Sequence, residues 1–135
     1  MAIMPINFVP ERGRILMCNY RMARVDPEMD KERRVVVVSP RSYNERHGRD
    51  YGRSIVVPFS VTDPGRRLKP ADVYFPAGRY NSLTRDTWAI CGAVMCLSHA
   101  RLDRVAAQGL YLQEILTPED MVRIESGLRH AMGLS

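Results

Sequence analysis

Arg33 and Arg34 stand directly before Val35-Val36-Val37-Val38, and Ser39-Pro40 closes the run. Two guanidiniums fixed at the mouth of a buried strand make an anion site, because the planar guanidinium pairs bidentately with phosphate or carboxylate. A second apolar run, SIVVPFS, ends at Ser60, and the segment before the arginines carries Glu28. A phosphodiester broken by its own 2′-hydroxyl needs a base for that hydroxyl, an acid for the leaving oxygen and a positive clamp on the phosphorane. In that chemistry Arg34 is clamp or acid, Ser60 orients the phosphate and Glu28 is the base. The competing reading is an ion-pair cluster of Arg33 and Arg34 with Glu28, Asp30 and Glu32.

The elements that must position these groups are mostly strands. Four valines in a row are poor helix and good strand, since β-branching suits a pleated, packed surface. An apolar run without alternation predicts burial on both faces and hence a central strand. Gly13 to Tyr20, Ser54 to Ser60, Asp72 to Phe75, Thr87 to Leu97 and Gln108 to Leu116 read as further strands. Pro58 predicts an edge or a bulge in the second of these, and Gly92 a break or bulge in the fourth. Residues 21–32 read as a long loop, 41–53 as an arginine-rich loop with Tyr43 and His47, and 78–86 as a polar connector. A short helical turn is expected near Ser98, running through SHARLDRV.

The clearest helix closes the chain over residues 117–133. Thr117 is its N-cap, Pro118 its first residue, Asp120 the third member of a capping-box-like pattern and Gly133 its stop. Met121, Ile124, Leu128 and Ala131/Met132 form one apolar stripe. Five to seven short strands with one late amphipathic helix predict a mainly β fold, a small curved sheet or partial barrel carrying the helix. Residues 1–135 read as one domain, with 1–12 as an extended arm laid on the surface.

Composition narrows the function. The chain of 135 residues is 45% hydrophobic and 26% charged, with a formal charge of +5. Lys31 and Lys69 are its only lysines, so the basic side is almost all arginine. That favours nucleic acid or an acidic protein as partner, although a GC-rich genome produces the same bias. Cys18, Cys91 and Cys96 show neither a disulfide framework nor zinc-ligand spacing, and read as small buried hydrophobes; no metal and no cofactor is expected. His99 and His130 read as surface or core-edge residues, and His47 as the histidine best placed near the arginines. The first ten residues lack a basic n-region, and no apolar run approaches the roughly 18 residues of a membrane span, so a cytoplasmic location is expected. No Walker loop, Rossmann fingerprint, HExxH or GxSxG occurs.

The stretches GRILMCNY, PEMDKERRVVVVSPR, SIVVPFSVT and DTWAICGAVMCL, with the closing helix, resemble the PemK/MazF family, the toxins of bacterial type II toxin–antitoxin systems. The resemblance runs from Gly13 to Leu134 and is sharpest at PEM-x-K-x-RR-VVVVSPR. It implies an SH3-like barrel with a C-terminal helix, a homodimer, and a cognate antitoxin with an acidic tail. It also implies metal-independent, sequence-selective cleavage of single-stranded RNA, including mRNA, to a 2′,3′-cyclic phosphate. The family's arginine before the second apolar run matches Arg34, its Ser/Thr after the VVP strand matches Ser60, and its gating loop matches the region of Glu28. RNA would lie across a basic groove fed by Arg33, Arg34, Arg41 and Arg53, with His47 and Thr62 beside it and Tyr43 or Trp88 stacking a base. Two departures stand out. The usual Arg-Pro is Arg34-Val35, and Ile90 to Ala93, expected as the far wall of the site, lack the polar side chains of some members.

Two readings of other classes use the same fold. CcdB-type toxins bind DNA gyrase and cleave no nucleic acid, relying mainly on the C-terminal helix. A catalytically silent binding barrel is the second.

Overall fold

The computed structural model describes residues 4–19, 32–45 and 51–134. Glu28, His47 and nearly all of the loop expected over residues 21–32 lie outside the described residues. The fold is mainly β: nine strands among the described residues, and a helix at the C-terminus. Seven strands form one antiparallel sheet in the order β4-β5-β3-β2-β1-β7, with β6 paired to β3. That path is open, with no described pairing between β4 and β7.

The valine run lies where its composition predicts. It belongs to β2 (Glu32–Val37), between β1 (Ile15–Asn19) and β3 (Arg53–Ser60). Val36 packs in one core with Ile15, Val57, Phe59 and Phe75, while Val35 and Val37 pack on the opposite face with Leu16, Val56, Leu97 and Leu102. All three valines are fully buried, each contributing about 1.5–3 kcal/mol of hydrophobic stabilisation. Beyond them the Ser39 hydroxyl donates to Asn44 Oδ1 and accepts from Ile55 N at 2.9 Å. The Asn44 amide donates to Pro10 O at 2.9 Å, which ties the short helix α1 (Arg41–Asn44) to the arm. The arm is more than a surface strap: Ile6 is buried in the second core, and its N–H donates to Leu102 O at 3.0 Å.

Pro58 occupies no edge. The first half of β3 pairs with β6 (Met95–Ser98) through Val56, and its end pairs with β5 (Thr87–Ile90) from Phe59 onward. Val57 and Pro58 fall where β3 changes partner on that side, so the missing N–H costs no ladder bond. The change is possible because Cys91–Ala93 turn as a 3₁₀ segment between β5 and β6, the break expected near Gly92.

Three other expectations are corrected. SHARLDRV holds only a 3₁₀ turn, His99–Arg101, after which Leu102–Arg104 forms β7 against β1. The last strand is shorter than expected: β8 (Ala106–Ala107) and β9 (Leu110–Tyr111) make a hairpin across Gln108-Gly109. Both turn residues have positive φ, 53° and 80°, as a tight two-residue hairpin turn demands. Among the cysteines, Cys18 and Cys91 are buried, whereas Cys96 is exposed, its thiol 3.6 Å from the Tyr43 hydroxyl.

Helix α2 (Pro118–Met132) forms as its caps predict. Thr117 Oγ1 accepts from Asp120 N at 3.2 Å, and Gly133 ends the helix at φ 68°. The capping box is not completed by Asp120, whose carboxylate points elsewhere; the Thr117 N–H donates instead to the Tyr80 hydroxyl at 2.9 Å. Met121 and Ile124 enter the main core, while Met132 at the end of the stripe is exposed. No described helix is long and apolar enough to cross a membrane.

Candidate active site

At the entrance of β2 the sheet opens into a cleft of about 310 Å³. One wall is Arg33 and Arg34, the floor includes Phe59, Val61 and Thr62 from the end of β3, and the opposite wall runs from Ser82 through Thr84 and Arg85 to Thr87. The pairing of β2 with β3 explains this placement. The recorded ladder reaches Val35 opposite Pro58, so the residues that follow in each direction lie at the same end of the sheet.

Arg33 and Arg34 are half-buried, and the Nε of each is buried with no hydrogen-bond partner among the described residues. Neither guanidinium forms an ion pair with a described residue. A buried donor without an acceptor costs about 1–3 kcal/mol, and more when charged. Successive side chains of a strand leave on opposite faces. Arg34, paired with Met17, therefore lies on the face of the main core and of Phe59, whereas Arg33, paired with Cys18, reaches the rim of the cleft from the other face. Arg85 lines the opposite wall. Hydroxyls of Thr62 and Thr84 lie in the same cleft and can donate to the oxygens of an anion there, while the Thr87 hydroxyl donates to Arg85 O at 2.8 Å.

Ser60 is at the same end of β3 but not among the residues lining the cleft. Its ladder partner is Trp88, so both side chains leave the sheet on the side opposite to Phe59 and Ala89, which are core residues. The Ser60 hydroxyl accepts from Thr62 N at 3.2 Å and so fixes the turn that carries Val61 and Thr62 into the cleft. Trp88 is half-buried and also pairs with Tyr74 of β4 (Asp72–Phe75); the two rings lie 5.3 Å apart at 40°. The Tyr74 hydroxyl donates to Asp86 Oδ1 at 3.0 Å, a bond that pushes the phenol above its ordinary pKa.

The remaining predicted residues lie at the other end of the sheet. Arg53 opens β3 opposite Ser98, seven residues from Ser60, a separation of about 23 Å along a strand. Arg41 and Tyr43 sit in α1, beyond the exit of β2. The structure therefore brings together Arg33, Arg34 and Thr62, keeps Ser60 and Trp88 beside them, and sets Arg41, Tyr43 and Arg53 apart.

The far wall differs from the one expected. Ile90, Gly92 and Ala93 line a separate hollow of about 350 Å³ with Lys69, Ala71 and Asp72, away from the arginines. Thr84, Arg85 and Thr87 take that place in the cleft. The signal was present as the run Thr84-Arg85-Asp86-Thr87, one arginine among hydroxyls, in a segment that read only as a polar connector.

What holds this connector is a buried carboxylate. Asp120 accepts from Tyr80 Oη at 2.6 Å, Arg79 Nε at 2.8 Å and Arg123 Nη1 at 3.2 Å. Burial pushes its carboxyl up, but these three donors outweigh it and hold the group below its ordinary value. His99, expected at the surface or the core edge, is buried with its Nε2 2.7 Å from the Ser54 hydroxyl, and does not line the cleft. His130 is exposed on the last turns of α2.

Residues 11–132 match the profile of the PemK-like, MazF-like toxins of type II toxin–antitoxin systems. Among solved structures, MazF from Deinococcus radiodurans superposes with a TM-score of 0.66 at 20% identity, over 95% of this chain and all of that one (100%). A mycobacterial endoribonuclease in complex with its cognate antitoxin gives 0.62 at 22% identity, over 93% and 97% of the two chains. A further mycobacterial endoribonuclease gives 0.62 at 21%, over 94% of each chain. Among curated proteins, none matches this chain.

Proposed function

Because the chain belongs to the family of PemK-like, MazF-like toxins of type II toxin–antitoxin systems, we propose that it is an endoribonuclease acting on single-stranded RNA at the Arg33–Arg34 cleft. The observation that carries this reading is Arg34 at the cleft, its buried Nε without a hydrogen-bond partner among the described residues, with Arg33 in the same state at the rim. The reading is supported by solved structures of the same fold that are named endoribonucleases.

The reaction proposed is transesterification. The 2′-oxygen attacks the adjacent phosphorus as its proton passes to a base, the bond from phosphorus to the 5′-oxygen breaks, and that oxygen takes up a proton. The products are a 2′,3′-cyclic phosphate and a free 5′-hydroxyl, and the step consumes neither water nor metal. Negative charge grows on the phosphoryl oxygens in the transition state, which is where fixed guanidiniums lower the barrier most. Arg34 is the proposed clamp or proton donor, with Arg33 beside it. Ser60 orients the phosphate through the turn it shares with Thr62, and Glu28 is the proposed base. An antitoxin with an acidic segment would neutralise the same wall, and a homodimer would extend the groove.

The test is incubation of purified protein with single-stranded RNA in EDTA, beside Arg34→Ala and Ser60→Ala. Cleavage to a cyclic phosphate by the wild type, lost in Arg34→Ala and weakened in Ser60→Ala, is the expected result. Equal cleavage by all three, or none by the wild type, overturns it.

A further inference from the structure

The wall of the cleft opposite the arginines is fastened from outside by a residue that lines no part of it. Glu114 lies between the β8–β9 hairpin and α2, where its carbonyl accepts from Ile15 N at 3.0 Å. The next two residues join the same edge: Ile115 bridges Arg14, and Leu116 N donates to Gly13 O at 2.9 Å. From this fixed backbone the Glu114 carboxylate crosses to the connector. Its Oε1 accepts from Ser82 N at 2.5 Å and Ser82 Oγ at 2.6 Å, and its Oε2 accepts from Asn81 N at 2.8 Å.

Two successive main-chain N–H groups and a hydroxyl therefore share one carboxylate across 32 and 33 residues of chain. Ser82 is buried, so its N–H and hydroxyl have no water to turn to if that acceptor is lost. The connector is otherwise closed on itself: Tyr80 and Leu83 form an isolated bridge, and Gly78 N donates to Leu83 O at 2.9 Å. Past Leu83 the chain reaches Thr84 and Arg85 at the cleft. The Arg85 guanidinium is exposed and bonds to no described residue, while the Arg85 carbonyl accepts from Thr87 Oγ1 at 2.8 Å, so its place depends on the backbone that carries it.

We propose that Glu114 is a positioning residue for RNA binding: by gripping Asn81 and Ser82 it sets the backbone that holds Arg85 across the cleft from Arg33 and Arg34. Asp120 performs the neighbouring task through Arg79 and Tyr80, so the far wall is held by two carboxylates on either side of the start of α2. This inference rests on the reading of the cleft as an RNA site. It adds that a carboxylate, the wrong charge to touch RNA, controls the affinity for it.

The test is a double-mutant cycle on RNA binding and cleavage with Glu114→Gln and Arg85→Ala. The Gln side chain keeps one acceptor oxygen and turns an NH₂ toward a backbone N–H. Glu114→Gln should raise KM about tenfold while kcat changes by less than about threefold, a loss on the scale of one charge-assisted hydrogen bond. The slope of log affinity against log salt should fall by about 0.7, the loss of one phosphate contact to a single strand. Arg85→Ala should give the same slope, and the double variant should bind no more weakly than Arg85→Ala alone. Ser82→Ala keeps the carboxylate and removes one of the three bonds; it should shift KM in the same direction by a smaller factor, and it serves if Glu114→Gln does not fold. An unchanged KM and slope in a folded Glu114→Gln, or in Ser82→Ala where it stands in, overturns the proposal, and so do effects of Glu114→Gln and Arg85→Ala that multiply as independent sites. A wild type that binds no RNA overturns the functional reading as well, which separates the two failures.

Discussion

Ser60 and Trp88 face each other across the β3–β5 ladder, so the serine expected to orient a phosphate shares its side of the sheet with the chain's single tryptophan. Tyr74 continues the row on β4. A base leaving the cleft past Thr62 would meet this aromatic pair, and a base–aromatic stack is worth about 1–3 kcal/mol. Intrinsic fluorescence reports on Trp88 alone among tryptophans. Its emission should change on adding a single-stranded oligonucleotide, and Tyr74→Ala should weaken binding about tenfold. Emission indifferent to saturating RNA would remove this face from the binding surface.

The separation of the arginines gives a length-dependent prediction. Arg33 and Arg34 line the cleft, whereas Arg53 lies at the opposite end of β3, about 23 Å from Ser60, and Arg41 sits in α1 beyond the exit of β2. Arg34→Ala should reduce cleavage by about 10²–10³, the usual cost of removing one donor to a developing oxyanion, whatever the length of the RNA. Arg41→Ala and Arg53→Ala should leave a four-nucleotide substrate unaffected and weaken only longer ones. Kinetics on a length series distinguishes the two groups, and equal losses on the shortest substrate would contradict the geometry.

Asp120 predicts an acid-sensitive step in stability. Its folded carboxyl is held below the ordinary value of 3.8, burial notwithstanding, by Arg79, Tyr80 and Arg123. A depressed carboxyl contributes stability that is fully present above the unfolded-state pKa and is lost as pH falls through the folded value. Asp120→Asn should therefore cost about 2 kcal/mol at pH 7, and the difference from the wild type should shrink below about pH 4. Denaturant midpoints measured from pH 7 to pH 3 check the sign; a gap that widens in acid would refute it.

Gly127 predicts the opposite of the usual helix rule. An alanine in place of an interior helical glycine ordinarily gains about 1 kcal/mol. Here a Cβ would lie 2.7 Å from Cys91 Sγ, 2.9 Å from Ala71 O and 3.1 Å from Val73 Cγ2. The backbone oxygen has little room to give, so Gly127→Ala should destabilise by about 1–3 kcal/mol. Ser126→Ala, one position away and exposed, should be neutral or slightly stabilising. Thermal midpoints of the two variants moving together would show that α2 is not pressed against β4 as closely as described.

The parts of this fold that repeat a pattern were legible in the sequence. The valine run announced a strand buried on both faces, and Thr117, Pro118 and Gly133 bounded the helix. Pro58 was misleading because its cost depends on which side of β3 lacks a partner, a fact of topology rather than of local preference. SHARLDRV looked helical because a 3₁₀ turn and a following strand leave no distinct period over eight residues. In the site, adjacent charged residues were visible and the opposite wall was not. The connector that leads to Thr84 is tied at Ser82 to Glu114 and at Arg79 to Asp120, 32 and 41 residues onward, and no local spacing reports such a bond. Ile90 to Ala93 were expected at that wall from the family resemblance, within one strand from Thr87 to Leu97, but the 3₁₀ turn carries them away.

The four valines also pose a question of alignment. When strands alternate, sliding by one residue turns every apolar group outward, and this penalty fixes the pairing. Sliding β2 by one would merely exchange one valine for its neighbour, so the valines themselves offer no such penalty. The ends must supply it. In one direction Arg34 would be drawn into a slot that Val35 fills completely, and in the other Ser39 would leave its bonds to Asn44 and Ile55. Arg34 thus helps to set the register of the strand, a structural duty separate from any chemistry at the cleft.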